Sequence, residues 1–261
     1  GALEGALGVT RVERSVRGLT LTEAGRDLLL HVRAMGEAAT LISMVADGKS
    51  QNVTGEVTVT GTDLLSAAIL PRVLKPLRDA APGVRVRIRA SSEMENLTQR
   101  DADIAIRHVR PDQPDLIARH LGDFRANLYA ATDYLDRAGR PRTLRDVADH
   151  DFVGNADPER LIAPLHNMGV PVRAESFVMS SGSGVVAWEL VKAGYGVSMQ
   201  PETLGDAEPG IEKVLPDFPS LEFPIWLVTH RELQTSRRIR IVFDTLARGL
   251  AERVGRGNRV A

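Results

Sequence analysis

Cysteine is absent from the 261-residue chain. That excludes disulfides, thiolate metal sites and a cysteine nucleophile, and it fits a reducing compartment. An excess of one charge is also missing: 33 Lys and Arg stand against 34 Asp and Glu, a net charge of −1. A strongly basic nucleic-acid coat is thereby excluded, though a local patch is not. No apolar run approaches the roughly 18 residues needed to span a bilayer. The start, Gly1-Ala2-Leu3-Glu4, has neither a basic n-region nor an apolar h-region, so no secretory signal is expected. It lacks an initial Met as well, which points to a trimmed or incomplete N-terminus. Catalytic motifs are missing in every class. Gly182-Ser183-Gly184 does not have the spacing of a nucleophile elbow. Gly194-Tyr195-Gly196 lacks the third glycine of a dinucleotide fingerprint, and it ends a helix where that fingerprint opens one. No P-loop is present, and the six histidines show no paired metal spacing. Asp101 and Asp103 read as a turn and a helix end. The expectation is a protein that is not an enzyme and carries no metal and no cofactor.

What is there is an ordinary globular composition, 43% hydrophobic and 26% charged, with length for two or three packing units. Residues 9–19 read as two short extended pieces around a turn. In residues 20–47, Leu28, Val32, Met35, Ala39, Ile42 and Ala46 recur at alternating intervals of four and three. That is a heptad stripe, flanked by polar Arg26, Arg33, Glu37 and Ser43. Thr20 and Glu23 have capping-box spacing, with Thr22 as a competing N-cap. Gly25 and Gly36 each cost about 1 kcal/mol in a helix interior, so packing must offset them. The stripe predicts a dimerisation helix; a helix packed on its own chain is the alternative.

After a polar linker at 47–52 the pattern changes. Val57 and Val59 alternate with threonines, and Val84, Val86, Ile88 and Ala90 alternate with Arg85, Arg87 and Arg89. Leu64 to Leu70 reads as helical, Pro71 opens a second helix, and Pro76 kinks or ends it. With a helix at about 93–100 and the strand Ile104-Ala105-Ile106, residues 55–107 read strand–helix–strand–helix–strand. Further strands are expected near 117–121, 125–131, 151–154, 172–179, 196–200 and 224–229. Helices are expected near 132–137, 143–149, 158–167, 184–193 and 235–253. The class is α/β with a mostly parallel sheet, divided into two subdomains with a cleft between them.

Open α/β sheets bind ligands beyond the carboxyl ends of their strands. Those ends carry Thr62 and Asp63, Ser92 and Glu93, and Arg107 and His108; between a later strand and helix lie Ser181 and Gly182. Small hydroxyls beside a helix amino end make a polar cradle, so these eight residues form the candidate ligand site. Serines and threonines that only cap helices are the alternative. Asp63 and Glu93 would repel a carboxylate, and Arg107 would attract one.

The order of motifs resembles that of LysR-type transcriptional regulators. It is carried by Ala2-Leu3-Glu4, Leu7-Gly8-Val9, Arg14, Arg17-Gly18-Leu19-Thr20-Leu21-Thr22-Glu23-Ala24-Gly25, Ile69-Leu70-Pro71 and Pro82. It continues through Asp101-Ala102-Asp103-Ile104-Ala105-Ile106-Arg107 and Val191-Lys192-Ala193-Gly194-Tyr195-Gly196-Val197. The resemblance implies a bacterial cytoplasmic transcription factor that binds promoter DNA, senses a small-molecule effector and assembles as a homo-oligomer, usually a tetramer. It implies the remnant of a winged helix-turn-helix at 1–19 and a linker helix at 20–50 that dimerises through Leu28, Val32, Met35, Ala39 and Ile42. The sensor that follows is implied to be periplasmic-binding-protein-like (type 2), with subdomain I at 55–124 plus 226–252 and subdomain II at 125–225. The chain then starts inside the recognition helix, and Arg14 and Arg17 of the wing are the candidate DNA contacts. Arg11-Val12 stands where the family commonly has an apolar pair. Two rival readings are a headless partner of full-length regulators and a cytoplasmic solute-binding protein.

Overall fold

The computed structural model describes residues 8, 10, 12–15, 18–29, 31–32, 35–36, 39, 42, 53–90, 102–155, 157, 159–217 and 219–257. Strands β1 (Val12–Ser15) and β2 (Gly18–Leu21) form an antiparallel hairpin, the two extended pieces expected from residues 9–19. Residues 23–29 are helical, as are the described positions 31, 32, 35, 36, 39 and 42. Thr20 lies in β2, so it cannot cap this helix. Thr22 does so: its Oγ1 accepts the amide of Gly25 at 2.9 Å, and its carbonyl accepts that of Arg26 at 3.0 Å.

The first sheet segment follows the alternation closely. Strand β3 (Gly55–Gly61) pairs in parallel with β4 (Val84–Ala90) and with β5 (Ile104–Arg107). Three short helices connect β3 to β4: α1 (Asp63–Ala68), α2 (Leu70–Val73) and α3 (Leu77–Ala80). Pro71 sits in the first turn of α2 and Pro76 caps α3, so the prolines divide one apolar stretch as expected. The helix expected at 93–100 lies outside the described residues. Strand β4 is a sheet edge whose alternate arginines are exposed, which discourages pairing with another chain.

The remainder departs from the expectation in one instructive way. Strands near 117–121 and 125–131 are a single 16-residue strand, β6 (Leu116–Ala131). The break expected between them falls at Gly122, which serves a bulge instead: φ is +117° there, and the register with the return strand shifts at Ile225/Trp226. A Cβ at Gly122 would come within 2.5 Å of Val254. Beyond β6 come α4 (Thr132–Ala138), α5 (Leu144–Val147), β7 (Phe152–Asn155), α6 (Glu159–Asn167) and β8 (Phe177–Ser181). They are followed by α7 (Gly184–Lys192), β9 (Ser198–Pro201), α8 (Glu202–Gly205), β10 (Ile211–Lys213), β11 (Leu221–His230) and α9 (Arg237–Gly257).

The seven-stranded sheet runs β10-β6-β11-β5-β3-β4, with β9 also on β6; β7 and β8 form a separate parallel pair. The mostly parallel sheet expected from the helix–strand rhythm is therefore corrected. Strand β6 pairs antiparallel with β9, β10 and β11, and β11 pairs antiparallel with β5. The reason is connectivity: β6 leads the chain from one core into the next and β11 brings it back, so the two lie side by side in opposite directions. The first core joins Val57, Leu70, Ile104, Phe124, Leu227 and Leu246; the second joins Leu128, Leu135, Phe152, Leu165 and Val197. A third cluster around Tyr129, Trp188 and Val191 takes in Leu64 of α1, so the lobes pack on each other.

Candidate functional site

A cavity of about 1120 Å³ opens between the two lobes. Its first wall is α1 and the start of α2, with His108, Phe124 and Phe223. Its second is Gly182, Gly184 and Ala187 around the start of α7, with Met199 to Pro201, Thr203 and Leu204. The volume stands just above the usual range of small-molecule sites, about 300–1,000 Å³, and the lining is mainly apolar, with nine polar or charged residues among its 24.

The lobes meet where α1 and α7 begin. Ser183 is the N-cap of α7, and its Oγ accepts the amide of Val186 at 3.3 Å. The same hydroxyl donates to Asp63 Oδ2 at 2.5 Å, while the amides of Gly184 and Val185 donate to the Asp63 carboxylate at 3.2 and 3.4 Å. Asp63 also accepts the amide of its own neighbour Leu64 at 2.8 Å. One carboxylate thus caps a helix of the opposite lobe, where orphan amides and the helix dipole favour negative charge. Glycine at 184 permits the approach, because a Cβ there would stand 3.1 Å from Asp63 Oδ1 and 3.2 Å from Leu64 Cβ.

Of the eight candidate ligand residues, Thr62, Asp63, His108 and Gly182 line this cavity. Ser92 and Glu93 lie outside the described residues. Arg107 is half-buried at the end of β5, is not among the lining residues, and donates from Nη1 to the carbonyl of Ile106 at 3.1 Å. Ser181 ends β8, and its Oγ accepts the amide of Ser183 at 3.1 Å, so it shapes the turn before α7. His108 packs edge-on against Phe223 at 5.4 Å, and its Nδ1 is enclosed without a hydrogen-bond partner. Burial pushes its pKa below the usual value and the charge of Arg107 adds to that, while the Pro224 carbonyl opposes it. Thr203 Oγ1 is likewise enclosed and without a partner.

Sequence reasoning did not single out Phe124, Met199, Gln200, Thr203, Leu204 or Phe223. Gln200 and Thr203 had a usable signal, since the strand expected at 196–200 ends there and the strand-end rule applies to it. The two phenylalanines had none; each is one apolar residue in a strand. Among the described residues, no group of three or more His, Asp or Glu side chains is placed to hold a metal ion. No helix among them is long and apolar enough to cross a membrane. For the oligomer stripe, Leu28 is half-buried, whereas Val32, Met35, Ala39 and Ile42 are exposed on the single chain. Arg14 stands opposite Leu19 in the hairpin; Arg17 lies outside the described residues.

A family model described as the LysR substrate binding domain matches residues 50–251. The HTH-type transcriptional regulator CrgA of Neisseria meningitidis is 27% identical over 95% of this chain and 85% of its own length. The HTH-type transcriptional activator TtdR of Escherichia coli is 24% identical over 97% of this chain and 84% of its own. The solved structure of CrgA, a LysR-type transcriptional regulator from Neisseria meningitidis, superposes with a TM-score of 0.65 at 25% identity. It covers 95% of this chain and 86% of that one.

Proposed function

The chain belongs to the LysR substrate-binding domain family, and from that premise we propose that its two lobes close on a small-molecule effector held in the cavity between them. It is a LysR-type transcriptional regulator with a substrate-binding domain. The observation that carries the proposal is the 1120 Å³ cavity at the interlobe junction, bounded on both sides by helix starts and strand ends. Thr62, His108 and Gly182 then act at the ligand, and Arg107 and Ser181 act behind it. Ligand contacts from both lobes favour the closed arrangement, and closure is passed to promoter DNA through the oligomer. In that assembly Leu28, Val32, Met35, Ala39 and Ile42 form the helix seam, and Arg14 of the hairpin, together with Arg17, approaches DNA. Exposure of most of the stripe supports the seam, because a solvated apolar stripe on one helix gains by pairing. The lobe divisions are those the resemblance implies, 55–124 plus 226–252 and 125–225, and the place of action is the cytoplasm.

The test is a metabolite library screened by ligand-observed NMR against the wild type and Ala207→Trp, which places an indole at the cavity lining from an exposed position. Compounds lost in the variant support the cleft; hits that bind both proteins equally defeat it. An identified effector carries a second requirement. Operator DNA must change its affinity by the factor that it changes operator affinity, typically 1–3 kcal/mol of coupling.

A further inference from the structure

We infer that the effector of this cleft is an uncharged, largely apolar molecule bearing a hydrogen-bonding group, and not a carboxylate, because Asp63 already fills the cleft's place for an anion. The inference rests on the cleft being the effector site. The start of α7 is where an anionic ligand would gain most, since three donors converge there: the hydroxyl of Ser183 and the amides of Gly184 and Val185. All three are spent on the chain's own carboxylate. A ligand carboxylate brought to the same place would find those donors occupied and a like charge within a few ångströms. The rest of the lining does not compensate. Outside Asp63, the described lining residues carry two carboxylates, Asp157 and Glu208, against the two guanidinium groups of Arg72 and Arg253, so the wall offers no excess charge to a ligand of either sign. His108, the remaining titratable group of the wall, is held toward its neutral form by burial.

The wall has other resources for a neutral ligand. Leu65, Ile69, Phe124, Met199, Leu204 and Phe223 offer apolar surface to a ring or short chain. His108 Nδ1 in the first wall and Thr203 Oγ1 in the second hold unspent hydrogen-bonding capacity. An enclosed polar atom without a partner is costly, and a ligand group meeting it after a side-chain rotation would recover that cost.

The test uses three probes of nearly one shape and different charge: benzyl alcohol, benzoate and benzylamine. Binding is followed by ligand-observed NMR on the wild type, on Ala207→Trp and on Asp63→Ala. Benzyl alcohol is expected to bind the wild type about tenfold or more tightly than either charged probe, a ratio set by the cost of desolvating a charge beside unmatched groups. It is expected to be lost in Ala207→Trp. Asp63→Ala is expected to raise benzoate affinity by about tenfold by uncovering the amides of α7. Benzoate or benzylamine binding the wild type as tightly as the alcohol, with loss in Ala207→Trp, overturns the uncharged assignment and leaves the cleft standing. Failure of all three probes, or binding indifferent to Ala207→Trp, overturns the cleft reading and the inference with it. The wild-type comparison does not depend on the Asp63 variant remaining folded.

Discussion

Two histidines show how position changes the chemistry of one residue type. His108 in the cavity wall and His150 beside Tyr134 are each pushed below the usual value of 6.5, in both cases chiefly by burial. Around His150 the carboxylates of Asp151, Asp149 and Asp146 oppose the shift without cancelling it. A group that binds its proton less readily when folded stabilises the fold fully above its unfolded pKa, and that stability is lost as pH falls below it. Unfolding in urea is therefore expected to need less denaturant at about pH 5.5 than at about pH 8. His108→Gln is expected to flatten that dependence. An equal slope in the variant would place the proton uptake elsewhere.

Within elements, local propensity and packing compete, and the winner can be worked out. Gly249 sits inside the 21-residue helix α9, where alanine is favoured by about 1 kcal/mol. A Cβ at that position would stand 2.7 Å from Val73 Cγ1 on α2, and overpacking a fitted contact costs about 1–3 kcal/mol. Packing therefore outweighs propensity here. Gly249→Ala is expected to lower the urea midpoint, and Val73→Ala is expected to cost less in the Gly249→Ala background than alone. A stabilised single variant would show that α9 moves away from α2 at no cost. The glycine is an ordinary propensity defect in sequence; only the helix it touches explains it.

Across the whole molecule, the two strands that pass between lobes pair along the length of β11, and one buried carboxylate adds a tie where β11 begins. Glu202 is buried on α8 and accepts the Ser220 hydroxyl at 2.7 Å and Lys213 Nζ at 3.1 Å, with Arg125 Nε at 3.5 Å. Arg125 lies on β6 and also donates to Ser220, which stands just ahead of β11. Burial works against the Glu202 charge, and the bonds from Ser220 and Lys213 with Arg125 outweigh it, so its pKa is held low. Glu202→Gln leaves two cations facing a neutral amide. The expected loss is about 1–3 kcal/mol, below the cost of severing a fully enclosed pair because both cations are partly solvated. Hydrogen exchange is expected to speed up at residues 125–127 and 220–222; unchanged exchange there would mean that the crossing strands hold without the carboxylate.

Much of this protein is determined by its sequence alone. The alternation at 84–90, the prolines at 71 and 76, the small polar residues at strand ends and the ordered family motifs are local signals. They specify strands, helix breaks, the α/β class and the region of the cleft, because each acts within a few residues of itself. Tertiary structure decided what depends on residues far apart in the chain. It made β6 one strand, since Gly122 bulges against Ile225 instead of turning. It made the large sheet mixed, since the chain leaves and re-enters the first core by adjacent strands. It also gave Asp63 its partner. That aspartate reads as a ligand group until α7 arrives from 120 residues away and takes its carboxylate with a hydroxyl and two amides. A charge is assigned by the donors nearest to it in space, and sequence records only the donors nearest to it along the chain.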